Sequence, residues 1–141
     1  MSSKSYLENY LKSYDSLINE HSAVDELLNI KEIFQLASKD GKKVILAGNC
    51  GSAAMAIHVA VDITKNAGIR AITFNEYDLI TTLANDYGYD NWIFKGIEFY
   101  SNPGDIIVLI SASGKSENVV NAAKYSKSKG LKTITFSGFN D

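Results

Sequence analysis

The chain has 141 residues, 45% of them hydrophobic, which is enough for one domain with a real core. Its net charge of −2 and scattered lysines leave no basic tract able to track a nucleic-acid backbone or an anionic membrane, so neither is expected as a partner. The single cysteine, Cys50, excludes an intrachain disulfide; no apolar run is long enough for a bilayer, and Met1-Ser-Ser-Lys-Ser5 is no signal peptide, so the expected location is the cytoplasm.

The first predicted element is an amphipathic helix over 5–20, in which Leu7, Leu11, Tyr14 and Ile18 are spaced by four, three and four residues. Tyr6, Tyr10 and Tyr14 recur every four residues and read as helix-packing side chains. Ser22-Ala-Val-Asp25 resembles a capping box with Asp where Glu or Gln is preferred. It opens a second helix carrying Val24, Leu27, Leu28, Ile30, Phe34 and Ala37, which ends near Gly41. This N-terminal hairpin over 1–41 either covers one face of a sheet or packs against copies of itself, which would make the protein a homo-oligomer.

From Lys42 the rhythm becomes strand, loop, helix. Strands are expected over 43–47, 69–74, 106–110 and 132–136, and helices over 53–65, 77–84, 91–100 and 117–127. Gly68 stops one helix, and Asn102-Pro-Gly-Asp105 turns the chain into the third strand. Four strands with helical connections define an α/β core over 42–141: a parallel sheet with right-handed crossovers, flanked by helices on both faces. The chain ends at Ser137-Gly-Phe-Asn-Asp141, directly after a strand, so either the last edge is bare or the C-terminal part of the domain is missing.

Ligands of a parallel α/β sheet bind outside the carboxyl ends of its strands, and two such ends carry small polar turns, Gly48-Asn-Cys-Gly-Ser52 and Ser111-Ala-Ser-Gly-Lys-Ser116. The second runs from a fully apolar strand into a helix start, where backbone N–H groups and the hydroxyls of Ser111, Ser113 and Ser116 can hold a phosphate. A helix cap with a polar loop is the plainer reading. Neither turn has the full spacing of a dinucleotide or nucleotide loop. The helix that follows the first turn is apolar almost all round and is expected to be buried. His58 and Asp62 are four apart on it and share one face, as a half-site for a divalent metal or as a core hydrogen bond. Cys50, in the turn opening that helix, is a candidate nucleophile or a small turn residue. Asn85 and Asp86 fall in the connection after the 77–84 helix, as a turn or a ligand-contacting loop.

Taken in order, Gly48-Asn-Cys-Gly-Ser52, His58-x3-Asp62, Asn85-Asp86-Tyr-Gly88 and Ser111-x-Ser-Gly-x-Ser116 resemble the sugar isomerase (SIS) domain, and within it the phosphoheptose isomerases. The resemblance spans the whole chain as a single SIS domain. It implies a flavodoxin-like sheet, a homotetramer joined through the leading helices, and zinc-assisted interconversion of sedoheptulose 7-phosphate and a manno-heptose 7-phosphate for lipopolysaccharide or capsule synthesis. It also implies that Ser111, Ser113 and Ser116 hold the phosphate, that Asn49, Cys50, Gly51, Ser52, Asn85 and Asp86 line the sugar, and that His58 binds zinc. Asp62 stands where the family has a glutamate that is both zinc ligand and proton-transferring base. Cys50 replaces a glycine, and the glutamine and histidine that complete the family's zinc shell come from a helix beyond this sequence. A non-catalytic module that binds a sugar phosphate or a protein partner is the alternative.

Overall fold

The computed structural model describes residues 2–18 and 23–138. The helices are α1 (Ser3–Ile18), α2 (Val24–Lys39), α3 (Gly51–Ala67), α4 (Tyr77–Tyr87), α5 (Trp92–Tyr100) and α6 (Glu117–Ser128). The strands are β1 (Val44–Gly48), β2 (Ala71–Thr73), β3 (Ile106–Ser111) and β4 (Lys132–Ser137). Ser22, on which the capping box rests, lies outside the described residues. Contacts divide the chain within α2, into a unit ending at Glu32 and a larger one beginning at Ile33.

In the first unit α1 carries a tyrosine ladder. Tyr6 stacks on Tyr10, Tyr10 meets Tyr14 edge to face, and the two phenolic oxygens of Tyr10 and Tyr14 are 2.8 Å apart. Tyr6, Leu7, Tyr10, Leu11 and Tyr14 are exposed in the single chain, as are Leu27 and Leu28 of α2.

The second unit is the α/β core. All neighbouring strands are parallel, in the order β2-β1-β3-β4, with Val44 opposite Ala71 and Ile106, and Ile106 opposite Lys132. The two-residue period of the central strands divides their apolar side chains between two layers. Val44, Leu46, Ile106 and Val108 pack with Ala56 and Ala60 of α3 and with Ile33, Phe34 and Ala37 of α2. Ile45, Ala47, Ile107 and Leu109 pack with Leu83 of α4, Trp92, Ile93 and Ile97 of α5 and Val119 and Ala122 of α6. The chain leaves β1 outward to β2, then returns past β1 to β3 and β4. That reversal puts α3 on one face and α4, α5 and α6 on the other, as right-handed crossovers require. Among the described residues β4 pairs on one side only, with β3, and most of its residues are exposed.

Two expectations are corrected here. The helix after the first turn is not buried all round: only Ala56 and Ala60 of α3 are buried, while Met55, Ile57, Val59 and Val61 are exposed. The sheet face it lies on is shared with the last half of α2, so one narrow stripe of α3 suffices to cover it. Asn85 and Asp86 do not lie in a connection, because α4 continues to Tyr87 and closes on Gly88 at φ 84°.

At the end of the sheet away from the strand carboxyl termini, Asp105 is 2% exposed. It accepts bonds from the Lys43 ammonium, the Lys43 backbone N–H at 3.0 Å and the Asn102 backbone N–H at 2.7 Å. Burial pushes this carboxyl up, but the Lys43 side-chain bond, the two backbone bonds and the Lys43 charge outweigh it and hold the carboxyl below its ordinary value. The cluster joins the starts of β1 and β3 and fixes their register.

Candidate sugar-phosphate site

The reversal of strand order leaves a crevice between the carboxyl ends of β1 and β3, where the register sets Gly48 opposite Ile110. Gly48 is required by that closeness. A Cβ there would lie 2.8 Å from both the Ile110 carbonyl oxygen and the Ser52 Cβ. The chain then makes a tight turn, with the Ser52 N–H donating to the Asn49 carbonyl at 2.9 Å and Cys50 at φ 49°, ψ −120°. These angles belong to the first central position of a type II′ turn, which favours glycine. Cys50 is exposed and stands at the N-cap of α3 without a side-chain cap bond.

Across the crevice, β3 ends on Ser111, which is 7% exposed, and the loop closes with the Gly114 N–H donating to the Ser111 carbonyl at 3.1 Å. Gly114 takes φ 68°, the left-handed conformation that turns the loop back toward α6. Ser116 is the N-cap of α6, yet its hydroxyl makes no cap bond; it lies 3.4 Å from the Ser111 hydroxyl instead. The Ser113 hydroxyl accepts from the Lys115 N–H at 3.2 Å. Three hydroxyls thus lie at the positive end of a twelve-residue helix, an arrangement suited to an anion. A cavity of about 280 Å³ opens beside Ser111 and Ser113, between α6 and β4, and is lined also by Gly114, Lys115, Ser137 and the apolar Leu109, Val119 and Phe136.

The two loops are joined through Asn49, expected at the site, and through Asn118 and Tyr89, which the sequence motifs did not mark. The Asn49 amide donates to Asn118 Oδ1 at 2.8 Å, and Asn118 Nδ2 returns a bond to Asn49 Oδ1 at 3.0 Å. Tyr89 adds its hydroxyl to the same Asn49 oxygen at 3.4 Å. A signal for Asn118 existed: it falls on the stripe of Ala122 and Ser126, at spacings of four, and a polar side chain on a buried stripe needs a partner. Asn85 and Asp86 bond each other at 2.9 Å in the last turn of α4.

His58 and Asp62 share one face of α3, with Nε2 and Oδ2 3.5 Å apart. That face is the solvent side: the side chains are 81% and 52% exposed, and neither belongs to the stripe of Ala56 and Ala60. Asp62 also accepts from Asn66 at 3.3 Å. An imidazole and a carboxylate are suitable zinc donors, but a zinc site takes four ligands, and among the described residues no three His, Cys, Asp or Glu side chains gather. The described residues therefore supply at most half of such a site. Among them, too, no helix is long and apolar enough to cross a membrane.

A parallel α/β sheet with a serine-rich loop opening a helix at its strand-order reversal is an architecture that places small-ligand sites at the carboxyl ends of the strands. Residues 5–138 match the family profile described as SIS domain, and the chain belongs to that family, among its phosphoheptose isomerase-like members. It is 34% identical to a phosphoheptose isomerase of Clostridium acetobutylicum, covering 96% of this chain and 74% of that protein. It is 35% identical to a probable phosphoheptose isomerase of Thermoplasma acidophilum, covering 98% and 76%. The solved structure of a phosphoheptose isomerase from Neisseria gonorrhoeae superposes with a TM-score of 0.86 at 26% identity, over 95% of this chain and 73% of that one. The flavodoxin-like sheet preceded by two helices and the SIS family are thus as the sequence motifs led one to expect.

Proposed function

We propose that this chain binds the phosphate of a seven-carbon ketose phosphate at Ser111, Ser113 and Ser116 and takes part in its isomerisation to an aldose phosphate. The observation that carries the reading is the anion loop at the start of α6, facing the Asn49 to Ser52 turn across the crevice, in a chain 34% identical to a phosphoheptose isomerase. In this reading Asn49, Cys50, Gly51 and Ser52, with Asn85 and Asp86, line the sugar. The reaction takes a proton from C1 of sedoheptulose 7-phosphate and returns one to C2, through an enediol. Asp62 is the proposed base, beside His58.

Zinc enters the proposal through the family. His58 and Asp62 would hold it together with donors outside the described residues, and bound zinc would polarise the sugar carbonyl. A homotetramer is proposed through α1 and α2, supported by their exposed Tyr6, Leu7, Tyr10, Leu11, Leu27 and Leu28. A cytoplasmic location and a role in surface-glycan heptose synthesis complete the reading.

The test is to incubate the protein with zinc and sedoheptulose 7-phosphate and follow the aldose product by NMR. Turnover that Asp62→Asn abolishes supports the assignment; turnover that survives it removes Asp62 from the mechanism. The exposure of His58 and Asp62, and their being only two donors, favours a second reading, a module that binds a sugar phosphate without converting it. Tight binding with no product, with or without zinc, selects that one.

A further inference from the structure

We infer that Asn118 is a positioning residue, which sets the distance between the phosphate loop and the sugar-facing turn and so selects ligands by chain length. The inference rests on the sugar-phosphate reading of the crevice. Asn118 is the second residue of α6, two positions after Ser116, and is 2% exposed. It therefore moves with the anion loop. Its amide is paired in both directions with Asn49, at 2.8 and 3.0 Å. The Asn49 backbone carbonyl in turn accepts the N–H groups of Ser52 at 2.9 Å and Ala53 at 3.3 Å, so Asn49 fixes the II′ turn and the first turn of α3.

The third wall of the crevice is tied to the same helix. Asn121 of α6 donates to the Asp90 carbonyl at 3.0 Å, and Tyr89 reaches Asn49 Oδ1. With Asn118 Nδ2 and the Tyr89 hydroxyl on it, that oxygen has both lone pairs occupied, and the amide keeps one N–H to offer a ligand. The Asn49 side chain thus serves more as a fastening than as a sugar contact. A free phosphate touches only one side of this fastening, whereas a sugar phosphate must span both sides.

The test compares inorganic phosphate, sedoheptulose 7-phosphate and a five-carbon ketose phosphate by calorimetry, on the wild-type chain and on Asn118→Ala. The fastening acts on affinity by preorganising the crevice, so its two neutral hydrogen bonds set an upper bound of about thirtyfold on the expected loss of sedoheptulose 7-phosphate affinity, while inorganic phosphate changes by less than about twofold and the seven- over five-carbon preference shrinks. Parallel losses for phosphate and sugar phosphate, or no loss in either, overturn the inference. Should Asn118→Ala fail to fold, Tyr89→Phe, at an exposed position, decides in the same way with a split of about threefold. If the wild type binds inorganic phosphate but no sugar phosphate, the ligand reading fails separately. The fastening is then judged by NMR: phosphate should shift the Gly51 and Ser52 amide signals in the wild type and leave them still in Asn118→Ala, and shifts that persist in the variant refute it.

Discussion

The phosphate loop and the outer face of α3 are built on different physical terms, although both belong to the proposed site. Ser111 and Asn118 are buried, held by the register of β3 and by reciprocal bonds to Asn49, so their geometry is determined within one chain. Among the described residues the contacts of His58 and Asp62 are with each other and, for Asp62, with Asn66, all in solvent, where a polar pair contributes little. The difference teaches that the proposed anion site is preorganised here, while the proposed proton chemistry depends on groups that the described residues do not bring to α3.

Substitutions should expose that asymmetry. The largest effect is expected at the foot of the sheet that carries the phosphate loop. Lys43→Ala leaves the Asp105 carboxylate buried without its cation and should cost about 4 kcal/mol of stability in chemical denaturation. The pH dependence follows from the same cluster. The folded Asp105 carboxyl titrates below its ordinary value, so its contribution is complete above the unfolded value and is lost as pH falls through the folded one. In Lys43→Ala the burial that raises this carboxyl is less opposed, and the acid loss should begin at higher pH; an unchanged acid profile would show that Lys43 does not hold Asp105.

Gly48→Ala drives a methyl group into the Ile110 carbonyl and Ser52, and should cost about 3 kcal/mol and weaken phosphate binding, since the two loops are forced apart. Cys50→Gly should instead stabilise the protein by about 1 kcal/mol, by relieving a side chain at φ 49°. Cys50→Ala keeps the strain and should give no such gain, and equal melting temperatures for the two variants would contradict the turn assignment. The smallest effect belongs to the other region: His58→Ala should change stability by less than about 0.5 kcal/mol, because the imidazole is solvent-exposed. A larger loss would mean that this face of α3 is covered in the assembled protein.

What the sequence carried follows the same division. The sheet was legible because Val44 to Ala47 and Ile106 to Leu109 form short apolar runs bounded by turn residues, and such runs are determined locally. Ser111 to Ser116 was legible for the same reason, as three hydroxyls around a glycine at a helix start. The exposure of Met55, Ile57, Val59 and Val61 was not, because hydropathy records what a helix offers and not how much of it the sheet and α2 can cover. α4 ends later than expected, since Asn85 and Asp86, poor helix formers and both exposed, are carried in a last turn whose Tyr87 packs edge to face on Phe99 of α5. The Asn49–Asn118 pair joins residues 69 positions apart, a pairing that only the fold creates.

The central claim is that the phosphate end of the site is complete in this chain independently of any metal. Calorimetric titration of sedoheptulose 7-phosphate, with EDTA and then with zinc, into the wild type and into Ser111→Ala/Ser116→Ala tests it directly. Binding by the wild type in EDTA, lost by at least about tenfold in the double variant, is the predicted result. Binding that requires zinc, or that survives removal of both serines, would contradict it.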